Sequence, residues 1–265
     1  MILPPFQFNT QPFHLVEESP WPFYLGTVSF FFLLSLIDYF WFSSWNLIFA
    51  FVMLILTLKV WSRDIIRESV FLGGHSAEAE TNFKWGMGWF ISSEVFFFLA
   101  FFWAFFHFSL VPNIETGNVW PPIGISPMAP FAIPLLNTML LLSSGISLTW
   151  CHHSVLQADF SSSMFGIILT IFLGVYFTLL QIFEYQESFF CFNDSLYGSI
   201  FFLATGFHGF HVLMGTMLLV IVGIRIWQGN FSPTHHIGLE VSSWYWHFVD
   251  VVWLFLFCCI YWWGG

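Results

Sequence analysis

Fixed charge is scarce in this 265-residue chain. Asp, Glu, Lys and Arg together make up 8% of it, well under the roughly 25% of a soluble domain. Bases are the rarer sign, 5 Lys and Arg against 15 Asp and Glu, for a formal net charge of −10. That balance excludes a nucleic-acid partner, whose phosphates need cations. The 4 cysteines form no CxxC spacing; Cys151 and Cys191 stand alone, and Cys258 and Cys259 adjoin inside an apolar run. They read as packing thiols rather than metal ligands. Residues 1–20 hold no Lys or Arg, so neither a basic signal-peptide start nor an Arg-rich transit peptide is expected. There is no internal repeat, low-complexity tail, phosphate loop or nucleophile–base motif.

What is present is apolar. Hydrophobic residues make up 58% of the chain, with 39 Phe and 15 Trp, and the mean hydropathy is +0.79. A soluble globule of this size needs a polar coat that this composition does not supply, so lipid is the solvent of the apolar surface. A spanning helix takes about 20 mostly apolar residues. The runs predict an all-α integral membrane protein with spans near 21–41, 45–63, 85–108, 134–153, 164–184, 197–225 and 240–262. The short alternating strands of a β-barrel are missing. Trp41, Trp45, Trp61, Trp85, Trp244, Trp262 and Trp263 sit near span ends, as an aromatic belt requires. Every proline, among them Pro20, Pro22, Pro112, Pro121, Pro122, Pro134 and Pro233, falls outside the span interiors, where it would cost an internal hydrogen bond.

The five bases orient the chain. Lys59, Arg63, Arg67 and Lys84 flank the connection between spans two and three, and Arg225 closes span six. Seven spans put all of these on one side, so the N-terminus is expected inside and the C-terminus outside. The stretch 64–84, DIIRESVFLGGHSAEAETNFK, is the longest polar one. It separates a segment 1–63 with two helices from a five-helix bundle at 85–265. The loop near 109–133 is Pro-rich and is expected to lie over the outer surface.

Two carboxylates fall deep in spans, Glu94 and Asp250. Charge at mid-bilayer costs about 2.5–3.5 kcal/mol on insertion scales, so each must gain a partner, face water or bind a proton. A proton site and a helix-to-helix hydrogen bond stand equal. Glu94 lies roughly ten residues into its span, about 15 Å from Trp85, near the bilayer middle. With no Lys or Arg in any span interior, its expected partner is a histidine of span six or seven. His208 and His211, three apart, share a helix face and form the best ligand-like pair. Adjacent His152–His153 and His235–His236 point about 100° apart on a helix, so both rings of a pair rarely meet one metal. The favoured role for these histidines is interhelical hydrogen bonding or contact with head groups. Thr205, Gly206 and Gly209 in span six and Ser143 and Ser147 in span four are expected to face neighbouring helices, because small residues allow close approach.

Seven strings, SRDIIRES, ISSEVFFFLAFFWAFFH, WPPIGI, PLLNT, LGVYFTLLQIFEY, YGSIFFLATGFHGFHVLMGT and WYWHFVDVVWLFLF, run in order from about residue 61 to the C-terminus. Together they resemble the cytochrome c oxidase subunit III family. The first 60 residues match mainly in pattern. The resemblance implies seven transmembrane helices in a V of two plus five, with phospholipids in the cleft. It implies no haem, copper or other metal on this chain. Those cofactors belong to partner subunits I and II of respiratory complex IV, which oxidise cytochrome c, reduce oxygen and pump protons. Subunit III then supports proton uptake, complex stability and lipid binding. By the same resemblance Glu94 is a buried, carbodiimide-reactive carboxyl; Asp250, by its depth in span seven, is a second buried carboxyl. His208, His211 and His247 are polar groups of helix packing.

Arg67, Glu68, His75 and Arg225 are candidates for lipid head groups, through Arg–phosphate and Glu–ammonium pairing. After Arg225 the chain reads RIWQGNFSP, with Gln228 and Asn230 where some relatives carry bases. The expected site of residence is the mitochondrial inner membrane with the N-terminus in the matrix; a bacterial plasma membrane is the alternative. Three other functions stay open: subunit III of a quinol oxidase, a membrane transporter, and a haem-binding cytochrome through His208 and His211. Unbroken spans weigh against a transporter, which binds substrate at broken helices.

Overall fold

The computed structural model describes residues 14–42, 45–114 and 117–265. Positions 1–13 of the N-terminal segment, 43–44 between the first two spans and 115–116 of the outer loop lie outside the described residues. The architecture is all-helical: α1 Trp21–Phe42, α2 Asn46–Val70, α3 Ala77–Leu110, α4 Ile133–Leu156, α5 Phe160–Gln186, α6 Leu196–Trp227 and α7 Ile237–Leu256, the last continued by a π-helical segment Phe257–Trp263. No strand occurs among the described residues. All seven expected helices are present, and six of them, α1 and α3 to α7, are long and apolar enough to cross a membrane. α2, which carries Lys59, Arg63, Asp64, Arg67 and Glu68 in its C-terminal part, is not among them.

Helix ends run past the apolar runs, most of all around the expected linker. The stretch 64–84 is mostly helix: α2 continues to Val70 and α3 starts at Ala77. Its charged residues are good helix formers and continue the backbone ladder into the interface. The chain divides into two compact units, Met1–Phe83 and Lys84–Gly265.

In the first unit α1 and α2 form a hairpin. The Trp21 indole N–H donates to Asp64 Oδ2 at 2.8 Å, and Asn46 Nδ2 donates to Asp38 Oδ2 at 3.0 Å. With Arg63 beside it, the Trp21 bond holds the Asp64 carboxyl below its usual range. No residue of α1 is buried, which suits a helix whose surroundings are lipid or other apolar protein.

In the second unit lipid offers no apolar driving force between helices, so small residues and polar contacts carry the packing. Trp246 of α7 is fully buried. A Cβ on Gly174 of α5 would stand 2.6 Å from its Cη2, and one on Gly215 of α6 2.8 Å from its Cε3. The indole therefore fills a slot that only two glycines leave open. Its N–H donates to Ser144 Oγ at 2.9 Å, and that of Trp253 to Thr138 Oγ1 at 3.0 Å. Ser147 and Thr170 join α4 to α5 at 2.7 Å.

Three small-residue expectations need correction. Ser147 and Thr205 are buried, but Ser143 is exposed, a Cβ on Gly209 would meet nothing within 4 Å, and one on Gly206 only the Tyr185 hydroxyl at 3.8 Å. The buried stripe of α6 runs through Phe201, Ala204, Thr205, His208, Val212, Gly215 and Leu219. At 3.6 residues per turn Gly206 and Gly209 fall beside it.

Candidate functional site: a carboxyl–imidazole pair between two helices

Glu94 of α3 finds its partner on α6: its Oε2 lies 2.8 Å from His211 Nε2. The other ring nitrogen, Nδ1, lies 2.6 Å from the Phe207 carbonyl one turn earlier. A carbonyl only accepts, so Nδ1 carries a hydrogen and donates it. The contact at Nε2 then needs one further proton, held by the carboxyl or by the imidazole. The pair is a neutral acid against a neutral ring, or a carboxylate against an imidazolium. In either form it keeps one proton between α3 and α6. Phe98 packs edge-on to the His211 ring with centroids 5.0 Å apart, and Tyr245 of α7 stacks at 6.3 Å. The histidine is nearly closed off, with 8% side-chain exposure, while the Glu94 side chain keeps 21%.

His208 shares the face but not the contact. It is buried, and its Nε2 donates to the Val249 carbonyl at 3.1 Å, against the rings of Trp253 and Phe177. Both ring nitrogens of His211 are engaged, so the two do not converge as axial ligands would.

Asp250, also buried, turns to α4. A Cβ on Gly145 would lie 3.5 Å from Asp250 Oδ2 and 3.5 Å from His247 Nδ1, while Asp250 Oδ1 has no hydrogen-bond partner. Gly145 thus opens a polar notch for both α7 groups. The sequence reading missed Glu184 of α5, which is 1% exposed. Neither of its oxygens has a hydrogen-bond partner, and Gln181 Nε2 donates to the Tyr261 hydroxyl at 3.5 Å. Glu184 closes the apolar run 164–184, where a charge ordinarily marks the membrane interface. Gln181, three positions earlier on the same face, was the available signal.

The head-group candidates fall in different units. In the first, Glu68 Oε2 pairs with His14 Nε2 at 3.1 Å, and the His75 ring stands edge-on to His14 at 5.4 Å, with Arg67 in the last turn of α2. In the second, the Arg225 guanidinium lies 4.3 Å over the Phe231 ring, and its Nε is buried with no hydrogen-bond partner.

The family profile of cytochrome c oxidase subunit III matches residues 11–265. The chain belongs to the cytochrome c oxidase subunit III family. Cytochrome c oxidase subunit 3 of Pisaster ochraceus is 54% identical over 259 residues, covering 97% of this chain and 99% of its own length. That of Paracentrotus lividus is 52% identical over 260 residues, covering 97% and 99%. That of Locusta migratoria is 49% identical over 260 residues, covering 97% and 98%. As a subunit III the chain is a membrane-embedded part of complex IV, and the oxidoreductase activity is that of the assembled oxidase.

Proposed function

We propose that this chain supports proton uptake by the oxidase, stabilises the complex and holds phospholipid, while electrons pass through haem and copper on subunits I and II. The observation that carries the proton part is the Glu94–His211 contact at 2.8 Å, which needs a proton to exist. It sits on two helices apolar enough to cross a membrane, where a lone carboxylate would be costly. The lipid part rests on Arg225, whose buried, unpartnered Nε suits a phosphate oxygen. In the other unit Arg67 is the phosphate candidate, and His14 competes with an ammonium head group for Glu68. The named relatives and their organisms support the mitochondrial inner membrane as the location.

Glu94→Gln in the assembled oxidase tests the proton role. The amide keeps the shape and a hydrogen bond to His211 but cannot release a proton. Assembly and haem spectra stay normal, electron transfer stays largely intact, carbodiimide labelling of this chain is lost, and fewer protons are translocated per electron. Unchanged proton translocation would make Glu94 structural. Collapse of oxygen reduction in a normally assembled complex would reject the non-catalytic role of the chain.

A further inference from the structure

A third imidazole–carboxylate group forms away from Glu94 and Glu68, where the end of α4 meets the start of α7. His152, His236 and Glu240 each bring one donor atom to a common point, all within 4.8 Å of one another. His236 is 7% exposed and stands at the N-cap of α7. Its Nδ1 lies 3.2 Å from the Ser232 carbonyl, which can only accept, so Nδ1 carries the hydrogen and Nε2 turns to the cluster. A backbone carbonyl bound to one ring nitrogen is how ligand histidines are oriented in metal sites. His236 Nε2 and Glu240 Oε1 are 3.3 Å apart. Tetrahedral bonds of about 2.0–2.1 Å set neighbouring donors roughly 3.3 Å apart. His152 lies against the His236 ring with centroids 5.2 Å apart, and its Nε2 is buried with no hydrogen-bond partner. The other Glu240 oxygen is occupied separately: Lys84 Nζ meets Oε2 at 2.6 Å.

We propose that His152, His236 and Glu240 form a binding site for a borderline divalent transition metal, zinc being the fitting case. Two imidazoles and one carboxylate match the donor preference of zinc and leave a fourth position for water. Magnesium, which prefers oxygen ligands, does not match. The ion replaces the proton that the His236–Glu240 contact otherwise requires, so metal binding releases a proton. The ion ties α4 to α7. Lys84, part-exposed in the second turn of α3, competes for the same carboxylate and tunes the affinity. The site is separate from Glu94 and stands whatever that residue does.

The test is equilibrium dialysis of the purified oxidase against zinc at micromolar free concentration, counting zinc per haem. His152→Ala and Glu240→Gln each lose one zinc per complex. Losing a ligand weakens binding by more than the roughly 10–100-fold that loss of an outer partner costs. Lys84→Met, which frees Glu240, binds the same zinc more tightly and keeps the count. Haem spectra certify assembly of each variant, and Lys84→Met, a change at a part-exposed position in the second turn of α3, reports even if a histidine variant fails to assemble. Equal zinc content and affinity in wild type and Glu240→Gln overturn the site, as does displacement of this zinc by an equal concentration of magnesium. An unchanged or weaker zinc affinity in Lys84→Met does the same, leaving a His236–Glu240 ion pair alone.

Discussion

Single residues decide how closely the helices of the second unit can approach. Gly215 admits the Trp246 indole, and a Cβ there would stand 2.8 Å from it with no room behind, since the ring is fully buried. Gly215→Ala therefore overpacks and costs about 1–3 kcal/mol. Gly209→Ala meets nothing within 4 Å and gains helix propensity, up to about 1 kcal/mol. Thermal denaturation of the purified complex separates them: Gly215→Ala lowers the temperature at which this chain dissociates, and Gly209→Ala does not. The opposite order would move the buried stripe of α6. The sequence singled out the wrong glycines because spacing of small residues does not state which face of a helix is inward; the aromatic that fills the gap, Trp246, lies on another helix. The histidines carry the same lesson. Neither adjacent pair meets a common point by itself: on α4 the 100° step turns His153 away from His152, and His235 and His236 precede α7 in non-helical backbone. His152 from one pair and His236 from the other do meet, a combination visible only once α4 and α7 are placed.

Among the elements, apolar run length located all seven helices. The ends were less legible, since polar residues continue a helix beyond the hydrocarbon as readily as they leave it; α2 through Arg67 and Glu68 is the case in point. Local capping fixes some ends independently of lipid. Asp159 starts α5, accepting from the Ser162 backbone N–H at 3.2 Å and from its hydroxyl at 2.6 Å. The Ser162 hydroxyl first, and then the backbone N–H, hold the Asp159 carboxyl below its usual value of 3.8. A depressed carboxyl stabilises the folded state above its unfolded value, and that contribution is lost as the pH falls through the lower folded value. Asp159→Ala therefore speeds amide exchange several-fold over 160–163 at neutral pH, and wild type approaches the variant as the medium is acidified below pH 3.8. Asp159→Asn keeps an acceptor and shows no such acid dependence. Equal exchange in wild type and Asp159→Ala at neutral pH would remove the cap from the account of where α5 begins.

For the whole molecule the question is which side each end faces. Within the second unit three contacts put helix ends together. Lys84 in the second turn of α3 pairs with Glu240 in the first turn of α7 at 2.6 Å. His152 near the end of α4 reaches His236 at the start of α7. The Arg225 guanidinium, in the last turn of α6, lies against Gly238 at the start of α7. The starts of α3 and α7 and the ends of α4 and α6 thus share one side, as four alternating crossings require. That side carries Lys84 and Arg225, and in sequence Lys59, Arg63 and Arg67 come just before α3. Positive charge marks the inner face, and on that rule we propose that α7 runs outward and the C-terminus is outside. Cysteine labelling checks it, with the exposed Cys191 and Cys258 first changed to Ser. A membrane-impermeant maleimide added to mitochondria stripped of their outer membrane labels Gly265→Cys and not Gln228→Cys, which follows α6; inverted inner-membrane vesicles give the reverse. Labelling of Gln228→Cys from outside would turn the chain over and place the His152–His236–Glu240 group on the outer face. Labelling of both from one side would mean that α7 does not cross the membrane.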